Sequence, residues 1–252
     1  MSSKPAVINF PSCHAIPSVS CAQCRLNAIC LPVSLHVEDI DKVNEIIQRG
    51  RPLQKGQHLY QVNDPFHSIY AVRSGSIKTI AITDDGQEQV TGFYLPGEIV
   101  GLDGIGSQKH CNTAIAMETT AICEIPFHSM EDLANSIPRL QRHLFQILGR
   151  EIRADQQLIT LLSKSSAEEK IATFLLSISS RNHRRHLSAT AFRLPMSRAD
   201  IGNYLGLTVE TVSRCLSRLQ KQGTISADKR EIVIENLAGL RKLANVGQLA
   251  GC

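Results

Sequence analysis

The chain has 252 residues, 42% of them hydrophobic, and a net charge of +4 at pH 7, which is enough for one large domain or two ordinary ones with real cores. It holds no run of roughly 18 apolar residues, so no membrane span is expected, and its start lacks the charged and apolar regions of a secretory signal. A cytoplasmic chain follows, and there its eight cysteines point to metal binding or redox sensing rather than to a disulfide framework.

The charge is uneven. Residues 164–242 carry 14 Lys/Arg against 7 Asp/Glu, whereas residues 1–163 carry 13 against 16. Basic charge gathered in one part suggests a polyanion partner for it, while a merely solvated basic surface gives the same count. No catalytic Ser/His/Asp grouping and no nucleotide-binding glycine loop is evident, so an enzyme is not expected.

Residues 1–20, with Pro5, Pro11 and Pro17, read as an irregular lead-in. Cys21-Ala-Gln-Cys24-Arg-Leu-Asn-Ala-Ile-Cys30 is a C-x2-C-x5-C run, and thiolates this close in sequence can converge on one metal centre. Structural zinc and cubane iron–sulfur clusters both take four ligands. A fourth has to come from Cys13, Cys111, Cys123, Cys215 or Cys252, and spacing alone selects neither that ligand nor the metal.

Residues 37–50 read as a short amphipathic helix ended by Gly50. Short β-prone runs follow at 58–62, 69–73, 76–82, 87–94, 98–101, 113–117 and 121–125. Ser74-Gly75 and Asp84-Asp85-Gly86 are hairpin turns. Many short strands at near-regular spacing predict an antiparallel barrel or roll, with Cys123 in its last strand.

Residues 137–163 are predicted to form one long helix, with Pro138 near its start where a missing N–H costs little. Ile137, Leu140, Leu144, Ile147, Leu148, Ile152, Leu158, Ile159 and Leu162 recur at steps of three and four. The spacing approaches a heptad seam that a second copy could pack against. Asp155 falls where the seam wants an apolar residue, and two such carboxylates a few ångströms apart repel by about 1–4 kcal/mol. Two readings stand: a helix that dimerises conditionally, or a monomer's core helix with Asp155 in solvent.

Ser166-Ala-Glu-Glu169 fits a capping box that opens a helix to about residue 179, and a basic loop, 181–186, follows. Ser197 can cap a helix running to Leu205, Gly206-Leu207 makes a turn, and Thr208 can cap a second helix over 209–222. That is the spacing of a helix-turn-helix. Val212, Leu216 and Leu219 form the apolar face of the second helix. On the polar face Arg214 can bond O6 and N7 of guanine, Glu210 can accept from N4 of cytosine, and Ser213 can reach a base or a phosphate, all through the major groove. Residues 225–235 read as a β-hairpin wing.

These residues resemble the Crp/Fnr superfamily of bacterial transcription factors, on its oxygen-sensing branch, over nearly the whole chain. The most specific stretch is Asp200-Ile-Gly-Asn-Tyr-Leu-Gly-Leu-Thr-Val-Glu-Thr-Val-Ser-Arg214, with its Glu-x-x-Ser-Arg signature. The resemblance implies that Glu210, Ser213 and Arg214 read TTGAT half-sites in an inverted repeat of double-stranded DNA. It implies that Cys21, Cys24, Cys30 and Cys123, the last in Ile-Cys-Glu-Ile-Pro, hold an oxygen-labile [4Fe-4S] cluster. It also implies that Glu151-Ile-Arg-Ala-Asp-Gln156 belongs to a dimerisation helix, with Ile152 in the seam and Asp155 opposing pairing until the cluster is bound. RNA polymerase is an implied partner. A cyclic nucleotide is not expected, because Gly97-Glu98 is followed by Lys109-His-Cys-Asn-Thr-Ala114 without the phosphate-binding Arg of that branch.

The expected fold class is α+β: a cysteine-rich segment over 1–30, an antiparallel β-roll over 31–136, a dimerisation helix over 137–163 and a winged helix-turn-helix over 164–252. The rivals are a winged-helix regulator with another effector and zinc or no metal on the cysteines, and a cluster-bearing electron carrier.

Overall fold

The computed structural model describes residues 20–33, 35–83 and 85–244. The lead-in over 1–19, Cys13, Asp84 and Cys252 lie outside the described residues. Helix α1 (Val37–Ile46) precedes seven strands: β1 (His58–Tyr60), β2 (Ser68–Ser74), β3 (Ile77–Ile82), β4 (Glu88–Tyr94), β5 (Ile99–Val100), β6 (Thr113–Ala116) and β7 (Ala121–Pro126). Each expected run becomes a strand, shortened or lengthened by a residue or two at its ends. They form two antiparallel sheets, ordered β1-β6-β3-β4 and β5-β2-β7. Alternation places Tyr60, Val72, Ile77, Val100, Ala114 and Ala116 in one buried cluster within the roll, which is the arrangement that half-buried strands favour. The β2–β3 turn needs Gly75: its φ is +77°, and a Cβ there would lie 2.5 Å from the Thr119 carbonyl oxygen.

After β7 the chain enters α2 (Phe127–Ser136) and then α3 (Pro138–Lys164). Helix α2 was not expected: it starts directly after Pro126 with no side-chain cap. In α3 the expected single apolar stripe divides into two. Leu140, Leu144 and Ile147 are buried with Leu31, Val43 and Ile125. Phe145, Ile152 and Ile159, seven residues apart and roughly a third of a turn away around the helix, are 63%, 60% and 66% exposed. The first half of α3 is therefore a core helix, and the second carries an exposed apolar stripe.

Helix α4 (Ala167–Arg184) opens on the full capping box of Ser166 and Glu169. It runs past residue 179, so the stretch expected as a basic loop is largely helical. The cause is tertiary: Arg181 pairs with Glu98 and donates to the Phe93 carbonyl of the roll, while Ile178 and Asn182 are buried. Strand β8 (Ala191–Arg193), helices α5 (Arg198–Leu205) and α6 (Val209–Lys221), strands β9 (Ile225–Asp228) and β10 (Glu231–Ile234) and helix α7 (Leu237–Leu243) complete the chain. The wing is a three-stranded sheet, β8-β10-β9, rather than the expected two-stranded hairpin. Ser197 and Asp200 form a capping box at α5, Thr208 caps α6, and Gly206 ends α5 in the left-handed region at φ 63°.

The helix-turn-helix is docked on the chain's own roll. Ile80, Val90, Phe93 and Leu95 share one buried cluster with Phe174, Leu175 and Leu205. Lys78 Nζ lies 2.6 Å from Asp200 Oδ1. The Asn203 carboxamide accepts from Val90 N at 2.5 Å and donates to the Glu88 carbonyl at 2.7 Å. The turn between α5 and α6 is equally tight: a Cβ on Gly202 would lie 2.6 Å from the Leu207 carbonyl oxygen. Gly202→Ala is therefore expected to destabilise the protein by about 1–3 kcal/mol through overpacking. A denaturant titration checks this, and an unchanged midpoint would mean that the turn yields freely.

Candidate nucleic-acid interface and cysteine cavity

Residues 20–33 form a succession of turns, pinned at one end by Leu31, which is fully buried against α3 and the roll. Cys21, Cys24, Cys30 and Cys123 line one cavity, together with Leu26, Ile47, Arg49 and Arg73. The structure thus brings Cys123 of β7 to the N-terminal run. It keeps Cys111 on the surface and Cys215 on the buried side of α6. Burial pushes the Cys30 thiol up to about 12. Burial also raises Cys21 and Cys123, against the opposing pull of the Arg49 guanidinium on both. As free thiols these groups hold their protons, and a metal has to displace them.

Four thiols are the donor set of a cubane iron–sulfur cluster and also of structural zinc, so the cavity fits such a centre in the kind and number of its donors. Among the described residues no group of three or more His, Cys, Asp or Glu side chains stands at metal-holding spacing. The sulfurs surround the cavity without converging further. His143 of α3, also buried, lies beside this segment, and the Cys30 backbone is one of its neighbours.

Ile152 and Asp155 both lie on exposed turns of α3. Partial burial raises the Asp155 carboxyl above its ordinary range. One turn earlier, burial and the nearby Glu98 and Asp155 push Glu151 up to about 7, against the opposing charges of Arg181 and Arg150. Phe145, which sequence reasoning missed, belongs to the same exposed apolar stripe as Ile152, and its signal was its seven-residue spacing from that residue.

At the start of α6, Glu210, Ser213 and Arg214 line one open hollow with Thr208 and Val209. Glu210 and Arg214 are exposed, and Ser213 is half-buried. The Thr208 hydroxyl accepts from Thr211 N, which fixes the first turn. Arg214 Nη2 donates to Thr211 Oγ1 at 3.3 Å, and Arg198 Nη1 of α5 donates to Ser213 Oγ at 3.1 Å. The apolar face, Val212, Leu216 and Leu219, is buried, so the polar face points outward as a base-reading helix requires. Val209 was not foreseen: it is 44% exposed in the same hollow and offers an apolar surface of the kind that meets a thymine methyl. Spacing gave no signal for this, because seven residues place Val209 in line with the buried Leu216.

Residues 169–243 match the Crp-like helix-turn-helix domain family, and residues 50–136 match the cyclic nucleotide-binding domain family. The chain is 52% identical over 238 residues to "Transcriptional activator protein anr" of Pseudomonas aeruginosa, covering 94% of this chain and 97% of that protein. It is 45% identical over 227 residues to "Fumarate and nitrate reduction regulatory protein" of Escherichia coli, covering 90% and 91%. Among solved structures, FixK2 from Bradyrhizobium japonicum aligns with a TM-score of 0.72 at 33% identity, over 79% of this chain and 97% of that one. No helix among the described residues is long and apolar enough to cross a membrane. With a helix-turn-helix, an exposed polar face on its second helix and regulators as its close relatives, the chain is a DNA-binding transcriptional regulator rather than an enzyme, and it belongs to the Fnr type of the Crp/Fnr family.

Proposed function

We propose that this regulator is a cytoplasmic oxygen sensor controlling anaerobic-metabolism genes, as activator or repressor, through a [4Fe-4S] cluster on Cys21, Cys24, Cys30 and Cys123. The observation that carries it is the convergence of Cys123 with the N-terminal run on one cavity, while Cys111 and Cys215 stay away. A relative from Haemophilus influenzae, 45% identical over 231 residues, is named "Anaerobic regulatory protein", which supports the anaerobic setting. When bound, the cluster supplies the oxygen-labile chemistry.

The chain's own residues carry the response. Leu31 closes the cysteine segment and shares a core with Leu140 and Leu144 of α3, so a change in that segment bears on the first half of the helix. The second half pairs with a second copy across Phe145, Ile152 and Ile159, and Asp155 opposes that pairing. In the paired state two α6 helices sit about one DNA turn apart. Glu210, Ser213 and Arg214 read the two TTGAT half-sites of an inverted repeat. Pairing decides occupancy, because one half-site alone is weak against genomic competitors. The β3–β4 turn around Asp85-Gly86 is the contact for RNA polymerase. A cyclic nucleotide is not the effector: Glu98 is taken up by Arg181 and by Leu95 N, and residues 109–114 contain no Arg.

Asp155→Ala is expected to raise the dimer fraction of cluster-free protein, since it removes a repulsion of about 1–4 kcal/mol. Acid should act in the same direction. In the dimer the twin carboxylate raises Asp155 further, so the dimer binds protons more tightly and pairing grows as pH falls. Sedimentation at several pH values checks both, and identical profiles for the two proteins would remove Asp155 from the switch. The identity of the centre is tested by anaerobic reconstitution with iron and sulfide, followed by metal and acid-labile sulfide analysis. Iron and sulfide in equal amounts support the cluster. Zinc alone, retained against iron and sulfide, would replace it with the structural-zinc reading.

A further inference from the structure

Arg49 projects into the cysteine cavity from the chain just after α1. Its Nη2 donates to Asn44 Oδ1 at 2.7 Å and lies 3.5 Å from Cys21 Sγ. The same Asn44 oxygen accepts from Cys21 N at 3.0 Å. One carboxamide oxygen thus ties the guanidinium to the backbone of the first cysteine in the run. Arg49 Nε is buried and has no hydrogen-bond partner among the described residues. A buried donor left unmade is costly, which calls for an acceptor that arrives with a bound group. Much of the remaining lining is apolar, including Leu26, Ile47, Ala71, Val72 and Ile125.

A metal centre held by four thiolates is negatively charged, and burying negative charge among apolar side chains is unfavourable unless a cation and N–H donors meet it. Sulfur ligands in iron–sulfur sites are tuned by such donors. Arg73 also lines the cavity and supplies charge at the Cys123 side, whereas Arg49 is the cation that is hydrogen-bonded to the cysteine segment itself. We infer that Arg49, anchored by Asn44, is the positioning residue of this site: it provides the counter-charge and the N–H donors for an anionic metal–thiolate centre on Cys21, Cys24, Cys30 and Cys123. The inference rests on the sensor reading for the nature of the centre. It does not rest on it for the requirement for Arg49.

Two measurements on the full-length protein test it. In the first, cluster-free wild type, Arg49→Met, Arg49→Lys and Asn44→Ala are titrated anaerobically with Cd2+, and the thiolate-to-metal absorption is followed. Arg49→Met is expected to bind roughly 10–100-fold more weakly, the usual cost of losing an outer partner of a metal ligand. Arg49→Lys, which keeps the charge and loses the planar fork, is expected to fall between Arg49→Met and wild type. Asn44→Ala should weaken binding in the same direction. In the second, each protein is reconstituted with iron and sulfide and the midpoint potential of the loaded fraction is recorded. It should move negative in Arg49→Met and much less in Arg49→Lys, a difference that a purely structural brace does not produce.

Equal Cd2+ affinity and equal potential across the series would overturn the inference. If Arg49→Met loses its helical circular dichroism, Arg49→Lys and Asn44→Ala decide, and wild-type behaviour in both would overturn it. If wild type holds no iron and sulfide yet its Cd2+ affinity still depends on Arg49, the role of Arg49 stands and the cluster reading falls.

Discussion

Cys123→Ser is expected to leave the protein colourless after anaerobic reconstitution, with iron and sulfide at background, while Cys111→Ser loads as wild type does. The reason is placement. Cys123 sits on β7 opposite Ala71 of β2, and its thiol shares the cavity with the N-terminal run. Cys111 is exposed, and its Sγ makes only long contacts with Ser107, Asp103 and Lys109. A cubane held by three thiolates has an open iron corner, and serine in place of cysteine offers a harder oxygen ligand that suits it poorly. Metal and sulfide analysis of the two variants side by side gives the answer. Full loading of Cys123→Ser would mean that the fourth ligand comes from elsewhere in the chain.

Arg214→Ala is expected to weaken binding to a TTGAT palindrome by about 1–3 kcal/mol for each half-site and to relax discrimination at one base position. Arg214 is exposed on the outward face of α6, and its side chain makes a 3.3 Å bond to Thr211, which a base edge can replace. For a pair that reads two half-sites, the loss would be felt twice. Titration against a panel of single-base variants checks this. A uniform loss across the panel would make Arg214 a phosphate contact and move base readout to Glu210 and Ser213.

Much of the fold could be read from the sequence because its signals are local. The roll's strands alternate, α4 and α5 announce themselves by Ser-x-x-Glu and Ser-x-x-Asp caps, and the turn between α5 and α6 carries Gly206. What escaped was set by distant partners. Arg181 looked like part of a solvated basic run, yet it binds Glu98, 83 residues away. Lys78 of β3 likewise meets Asp200, 122 residues away. Those pairs extend α4 and dock the helix-turn-helix on the roll, and no periodicity reports them. Strand β8 was missed because three residues, Ala191, Phe192 and Arg193, give alternation too little length; they become a strand by pairing with β10.

The candidate site divides in the same way. The polar face of α6 follows from helical spacing, so Glu210, Ser213 and Arg214 could be named from the sequence, while Val209, in line with the apolar stripe by spacing, needed the structure to show that it is exposed. The C-x2-C-x5-C run is a local pattern. The choice of Cys123 as its companion came from family resemblance, since spacing left five candidates open. The structure adds that Cys123 faces the same cavity as the run. Arg49 and Asn44 carried no signal at all: an Arg in Gln-Arg-Gly-Arg and an Asn in a short helix are ordinary surface residues until the fold places them beside Cys21.

The cysteine cavity and the α6 helices are expected to answer to the same event. The direct test follows visible absorption and binding to a TTGAT palindrome together on anaerobically purified protein during brief exposure to air. A brown protein whose colour and DNA binding fall together is the expected result. A colourless protein that binds the palindrome equally well with and without air would contradict it.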